Sequence, residues 1–188
     1  MLKIPVGVSN RHVHLSKTDL ETLFGQGKEL TKSKDLGQPG QYAAEEKVDL
    51  TGPKGTLAGV RVLGPVRRQT QAEISRTDSF KLGLKPPVRD SGNLAGSETV
   101  TLTGPAGSIQ LKEGVILALR HIHITPDLAE KNDLKDGQLL SVSCEGPRAL
   151  TFGQVLVRVS PKYSLEFHVD VDEANGAMLN NGDEVTLD

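Results

Sequence analysis

The chain has 188 residues, a formal charge of −2 and a mean hydropathy of −0.29, long enough to bury one core or two small ones. Its lysines and arginines are scattered, and four Phe, two Tyr and no Trp leave few platforms for stacking bases, so nucleic acid is excluded as an expected partner. The sequence turns polar by residue 9, no apolar run approaches the ~18 residues of a membrane span, and the single Cys144 rules out an intramolecular disulfide framework or a thiolate-built zinc site; the expectation is a soluble, cytoplasmic globular protein with no membrane partner.

Taken from the N-terminus, KIPVGVS (3–9) predicts a strand, and SKTDLETLFG (16–25) predicts a helix with a Ser cap, acidic residues in its first turn and a closing Gly. Four strands follow: EEKVDLTG (45–52), LAGVRVLG (57–64), SETVTLTG (97–104) and SIQLKEGV (108–115). TPDLAEKND (125–133) predicts a second helix, with Thr as cap and Pro next. Strands are expected again at QLLSVSCEG (138–146), QVLVRVS (154–160), LEFHVDVD (165–172) and DEVTLD (183–188), with a short helical turn over DEANGAML (172–179). Turn signals such as GPKG, GPAG, LKDGQ and NNGD punctuate the strands. Many short strands joined by Gly-rich turns predict a mainly β protein of small barrels with a few short capping helices.

Internal repeats organise these elements. VDLTGPKGTL (48–57) aligns without a gap to VTLTGPAGSI (100–109), as two copies of one hairpin would. RHVHLSKTDLE (11–21) matches RHIHITPDLAE (120–130), and residues 62–78 set against those from Val157 onward at a constant offset of 95. An internal duplication of this kind implies two similar β-barrels. The expected division is 11–118 for the first barrel, and 119–188 plus the N-terminal strand 1–10 for the second. That N-terminal strand would pair with DEVTLD and interleave the two.

Four of the five histidines fall in the two R-H-x-H phrases. On a strand, residues i and i+2 share a face with Cα atoms about 6–7 Å apart, so both imidazoles can converge on one metal ion. Random placement of five His predicts roughly 0.1 such pair; mere decoration of half-buried strands is the bland alternative. A two-His site needs a third protein ligand and an open position. At the offset of 95, His168 falls beneath Glu73, giving His12, His14 and Glu73 in the first half and His121, His123 and His168 in the second. Taken alone, Glu73 would read as a solvated carboxylate. Zinc with two His and a Glu carries about +1 net, suited to a thiolate. With three neutral His it keeps about +2, suited to an oxyanion or a water.

Arg67 lies six residues before Glu73, and even spacing on extended chain would put both on one face, where a guanidinium could hold phosphate bidentately. The alternative for Arg67 and Arg68 is a pair of surface charges. Cys144 has no nearby His in sequence and reads as a small buried hydrophobe. The RDSGN turn (89–93) offers backbone N–H groups as oxyanion donors, or is only a tight turn.

SNRHVHLS, GPVRRQTQAE, PPVRDSGN, LALRHIHITP and EFHVDVDEANG together resemble the phosphate propanoyltransferases (phosphotransacylases) of the propanediol-utilisation type. The resemblance runs through nearly the whole chain in order. It implies two β-barrel domains and a reversible transfer of the acyl group of propanoyl-CoA or acetyl-CoA to phosphate, giving acyl phosphate and free CoA. It also implies two zinc ions per chain, held by the six residues above, and Arg67 as the catalytic, phosphate-binding arginine. CoA contacts would fall on Val8, Ser9, Asn10, Lys54, Arg61 and Asn175. A homodimer, and shell or cargo proteins of a bacterial microcompartment, are implied partners. The core begins at Lys3, so an N-terminal targeting extension is not expected. Two rival readings use the same residues: a dinuclear zinc hydrolase of thioesters or phosphoesters, with water as nucleophile, and a non-catalytic zinc-binding barrel.

Overall fold

The computed structural model describes residues 2–187, and it divides into two compact units. One comprises 11–36 and 40–118; the other comprises the residues up to Asn10, Gly37–Pro39 and those from Leu119 onward. The three-residue excursion Gly37–Pro39 departs from the expected division, which kept it in the first barrel.

The 11–118 unit is built on β2 (His12–His14), β4 (Tyr42–Thr51), β5 (Thr56–Gly64), β6 (Gln71–Glu73), β8 (Glu98–Thr103) and β9 (Ser108–Ala118). These pair in the ring β4-β5-β2-β6-β9-β8 and back to β4, a closed six-stranded barrel. Two short strands, β3 (Lys32–Asp35) and β7 (Val88–Arg89), lie on β4 and β9. Val13, Leu15, Leu50, Val62, Ala72, Leu102 and Val115, each fully buried, fill its interior with the inward faces of α1 (Lys17–Phe24) and α2 (Arg76–Leu82).

The other unit closes the same ring from β1 (Lys3–Ser9), β13 (Glu166–Asp170), β10 (His121–Ile124), β12 (Leu150–Val159), β11 (Leu139–Cys144) and β14 (Glu184–Leu187). Parallel and antiparallel pairings follow the first barrel one for one: β1 runs parallel to β13 as β9 does to β6, and β10 parallel to β12 as β2 does to β5. The last ring contact is β1 against β14, Ile4 opposite Val185. Helices α3 (Pro126–Lys131) and α4 (Val171–Ala177) complete it around Ile4, Ile122, Val157 and Phe167.

Each barrel is itself doubled. In the first, β4 and β8 pair at Leu50↔Leu102, residues related by the VDLTG repeat, so that repeat spans a local two-fold axis inside one barrel. The matched turns pack on matched helix ends: Lys54 N–H donates to Leu82 O at 3.0 Å and Ala106 N–H to Leu23 O at 2.9 Å. A side chain at Gly52 or Gly104 would strike the same two carbonyls. The axis also passes through Val13↔Ala72 of β2 and β6, strands that run into Ser16- and Ser75-capped helices. In the second barrel it passes through Ile122↔Phe167. The chain therefore holds four copies of one strand–cap–helix unit, and each barrel's candidate site forms where two of them cross.

Helix α1 lies within the predicted 16–25, and Ser16 caps it by accepting from Asp19 N–H. Helix α2 was not expected. RTDSFKL lacks an apolar stripe, yet Ser75 and Asp78 close a full capping box and Gly83 ends it in the left-handed conformation.

Candidate functional site

In the first barrel His12 and His14 project from one face of β2 while Val13 enters the core between them. Glu73 stands opposite His12 in the antiparallel pairing of β2 with β6, with Oε2 3.5 Å from His12 Nε2. The three residues, 2–9% exposed, bring one ligand atom each to within 4.8 Å of one another. The His14 Nδ1 is buried without a hydrogen-bond partner. Burial, with His12 and Arg67 nearby, holds the His14 imidazole neutral, well below its ordinary pKa. Glu73 is held below the usual carboxylate range although burial opposes it, because His12, His14 and Arg67 surround it.

Gln71, which the sequence did not single out, and Ser91 and Gly92 of the RDSGN turn hold Glu73. Gln71, its neighbour on the same face of β6, donates Nε2 to Glu73 Oε1 at 2.5 Å, and Ser91 Oγ donates to the same oxygen at 3.0 Å. Gly92 N–H donates to Gln71 Oε1 at 2.8 Å. The RDSGN turn thus has a positioning role: of the backbone N–H groups it offered as oxyanion donors, that of Gly92 is occupied by Gln71.

Arg67 reaches this cluster by a route other than strand parity. Strand β6 spans only 71–73, and residues 65–69 form a bend after β5, so the even-spacing argument does not apply. Instead Arg67 bridges to Ser16 and donates Nη1 to Ser91 Oγ at 2.9 Å, one hydroxyl away from Glu73. Arg68 is exposed and lines a separate groove with Asp19, Thr70 and Lys112.

The second cluster repeats the plan. His121 and His123 share a face of β10, and His168 lies opposite His121 on β13. The His121 and His168 rings stack at 4.9 Å and 3°, and His123 is 4.7 Å from His168. Their ligand atoms also converge within 4.8 Å. His121 Nδ1 lies 2.8 Å from Leu119 O; with the proton on Nδ1 facing that carbonyl, Nε2 presents a lone pair to the cluster. Both ring nitrogens of His123 are buried without hydrogen-bond partners, and burial with the neighbouring His121, His168 and Arg158 pushes its pKa down to about 2. Tyr163 stacks on His123 at 4.0 Å.

The remaining expected residues are dispersed. Lys54 is exposed in the β4–β5 turn, and Arg61, opposite His12 in the β2/β5 pairing, donates Nη1 to Ala44 O at 2.8 Å. Val8 N–H donates to Asn181 Oδ1 at 2.7 Å, Ser9 pairs with Asp170 at the end of β1, and Asn10 and Asn175 are exposed. Cys144, 4% exposed, donates Sγ to Leu150 O at 3.4 Å inside the second core. The arginines of the two R-H-x-H phrases face away from chemistry. Arg11 grips Asp78 through two contacts of 2.8 Å, and Arg120 grips Glu173 at 2.8 Å, each fixing an HxH strand to the N-terminus of the partner helix.

A family model described as phosphate propanoyltransferase matches residues 5–180. The chain belongs to this family. Among relatives of that name, the Thermotoga maritima protein is 60% identical over 185 residues, covering 98% of this chain and 88% of the relative. The Priestia megaterium protein is 55% identical over 96% of this chain and 83% of its own length, and the Listeria monocytogenes protein 45% identical over 95% and 84%. Family membership makes the chain a phosphate acyltransferase. None of the described helices is long and apolar enough to cross a membrane.

Proposed function

We propose that the protein converts a short-chain acyl-CoA, propanoyl-CoA or acetyl-CoA, and inorganic phosphate into acyl phosphate and free CoA, reversibly, with two zinc ions per chain. The observation that carries this is the pair of buried donor clusters, His12/His14/Glu73 and His121/His123/His168, in a chain of this family. Their chemistry suits zinc: imidazoles and one carboxylate, convergent, three protein donors each, with orphaned ring nitrogens turned inward. When bound, zinc supplies Lewis-acid stabilisation to a thiolate and to a developing oxyanion.

No protein nucleophile is needed, because phosphate is one. Its oxygen forms the new C–O bond at the thioester carbonyl as the C–S bond breaks, and the electron pair leaves on sulfur. Arg67 holds the phosphate as a guanidinium fork, steadied by Ser91, so that the attack begins from an oriented pair. Gln71 and Ser91 keep the Glu73 carboxylate aimed, and His12, His14 and Arg67 favour its ionised form. Val8, Ser9, Asn10, Lys54, Arg61 and Asn175 are the proposed CoA contacts.

The test is phosphate-dependent CoA release measured with acetyl-, propanoyl- and butanoyl-CoA. Thiol release that needs no phosphate would favour a hydrolase, and zinc retention without thiol release a non-catalytic barrel. Elemental analysis should give about two zinc per chain, with about one lost in His12→Ala and in His123→Ala; a content near zero in native protein would sink the ligand assignment.

A further inference from the structure

The histidines of the two clusters are oriented by different means. His121 Nδ1 faces Leu119 O at 2.8 Å, His14 hydrogen-bonds to the backbone of Leu63, and His168 Nε2 lies 2.8 Å from the Glu166 carboxylate. His123 has no such contact: both of its ring nitrogens are buried without a hydrogen-bond partner. A metal ion engages one nitrogen of an imidazole. The other normally finds an acceptor that fixes the ring, and without one the ring is left to turn about its Cβ–Cγ bond unless a neighbour holds its plane.

That neighbour is Tyr163. Its ring lies on the imidazole with 4.0 Å between centroids and 24° between planes. This is closer and flatter than the contacts of His123 with His121, at 4.6 Å and 58°, or with His168, at 4.7 Å and 61°. A quarter turn of the imidazole would drive its edge into the tyrosine face, because an edge-on pair needs roughly 5 Å between centroids.

The chain holds Tyr163 in place from both sides. Strand β10 lies between β12 and β13 in the ring, so the connection from Val159 to Glu166 crosses the end of β10 just beyond His123. Ser160 N–H donates to Ile124 O at 3.0 Å and Tyr163 N–H to Ser160 O at 3.2 Å, tying the turn to the residue that follows His123. On the other side Gln38, 7% exposed, donates Nε2 to Ser164 O at 3.1 Å and accepts from Ser164 N–H at 3.2 Å. The same amide donates to Glu166 Oε2 at 2.7 Å. Gln38 belongs to the Gly37–Pro39 excursion, which the chain sends into this unit. Arg158, opposite His123 in the β10/β12 pairing, lies over the tyrosine ring at 5.8 Å. The first barrel solves the problem otherwise. At the offset of 95, Tyr163 falls on Arg68, which is exposed in its own groove, and His14 has the Leu63 backbone instead.

We infer that Tyr163 is a positioning residue of the second metal centre: its ring holds the His123 imidazole in the plane from which a nitrogen meets the ion. This rests on the reading that His121, His123 and His168 bind zinc, and it adds nothing to that ligand set. The flat face of the ring does the holding, and the hydroxyl is not required.

The test is competitive zinc titration of the metal-stripped full-length chain against a chromophoric chelator, with cobalt(II) absorption as a second readout. Wild type should bind two equivalents. Tyr163→Phe, which keeps the ring, should match it in both readouts. Tyr163→Leu fills much of the same space without a face to stack. It should weaken one equivalent about tenfold, leave the other unchanged, and alter the spectrum of only one cobalt equivalent, while the metal-free chain keeps the wild-type circular dichroism spectrum. A tyrosine that served packing alone would move neither readout in a folded leucine variant. Wild-type affinity and cobalt spectrum in Tyr163→Leu therefore overturn the inference by itself. So does a Tyr163→Phe as impaired as Tyr163→Leu, which would put the effect on the hydroxyl. If Tyr163→Leu misfolds, Tyr163→Ala is read by the same two measures, and wild-type values there overturn it. A wild-type chain that binds no second zinc overturns the zinc reading together with it.

Discussion

Arg67→Ala removes a half-buried guanidinium that donates to Ser91 at 2.9 Å and helps keep Glu73 ionised and His14 neutral. Losing a charge-assisted, bidentate contact to phosphate costs about 2–4 kcal/mol, so kcat/KM for phosphate should fall roughly 30- to 1,000-fold. Steady-state rates at varied phosphate should show a raised KM and a lowered kcat, while zinc content and the KM for acyl-CoA stay near wild type. Lysine should rescue only in part, since it supplies a charge without the fork. Ser91→Ala, which removes one hydrogen bond from the guanidinium, should cost about 1 kcal/mol, some fivefold. Arg68, exposed and lining another groove, is the control and should tolerate alanine. A crippled Arg68→Ala, or wild-type phosphate dependence in both arginine variants, would refute the assignment.

Cys144→Ser should keep most of the activity, because the thiol lies in the second core and takes part in no step; loss of several hundredfold with the fold intact would reveal a covalent acyl-enzyme. Arg11→Ala strands the Asp78 carboxylate, 3% exposed, and should lower unfolding free energy by about 2–3 kcal/mol, a discount on a fully buried pair because Arg11 is partly solvated. Denaturant midpoints would measure it, and Asp78→Ala in the same chain should recover part of the loss. In metal-free protein His14 and His123 remain neutral below their ordinary value of 6.5. The unfolded chain therefore binds protons that the folded chain refuses. Stability should be level above about pH 7 and fall as pH drops below 6.5, by up to about 1.4 kcal/mol per pH unit for each imidazole. Equal denaturant midpoints at pH 7.5 and 5.5 would contradict the buried, neutral imidazoles.

The strands and their duplication were legible because alternation and Gly-rich turns are local signals, and two R-H-x-H phrases in a five-histidine chain stand out by count alone. The residues that hold the clusters were not. Gln71 and Glu166 lie two positions before Glu73 and His168, a spacing that strand geometry makes meaningful, but a lone Gln or Glu on a strand reads as surface. Ser91 and Gln38 act across 18 and 128 residues of sequence, and no local pattern carries such contacts. Helix α2 was hidden because its stability comes from Ser75, Asp78 and Arg11 rather than from an apolar stripe. One signal was available and unused: LSKTDL (15–20) and ISRTDS (74–79) share their cap and acidic residue, which marks the finer four-fold repeat. Arg67 was placed by strand parity, whereas it reaches Ser91 from a bend.

Strands β1 and β9 each lead directly into an HxH strand of the opposite barrel, at Asn10–Arg11 and Ala118–Leu119. For a chain emerging from the ribosome this fixes an order of events. Residues 11–118 contain every strand of one ring, which can close while the rest is still being made. Strand β1 cannot: its neighbours β13 and β14 begin at Glu166 and Glu184, so it must wait until both have been made. Contacts of such long range close slowly. Until they do, the tail presents β13 and β14 as two unpaired edges, open to any extended segment that arrives first. Severing the chain after Ala118 would strand the N-terminal strand on the wrong fragment, and the remaining piece would carry its three histidines on a ring with one member missing.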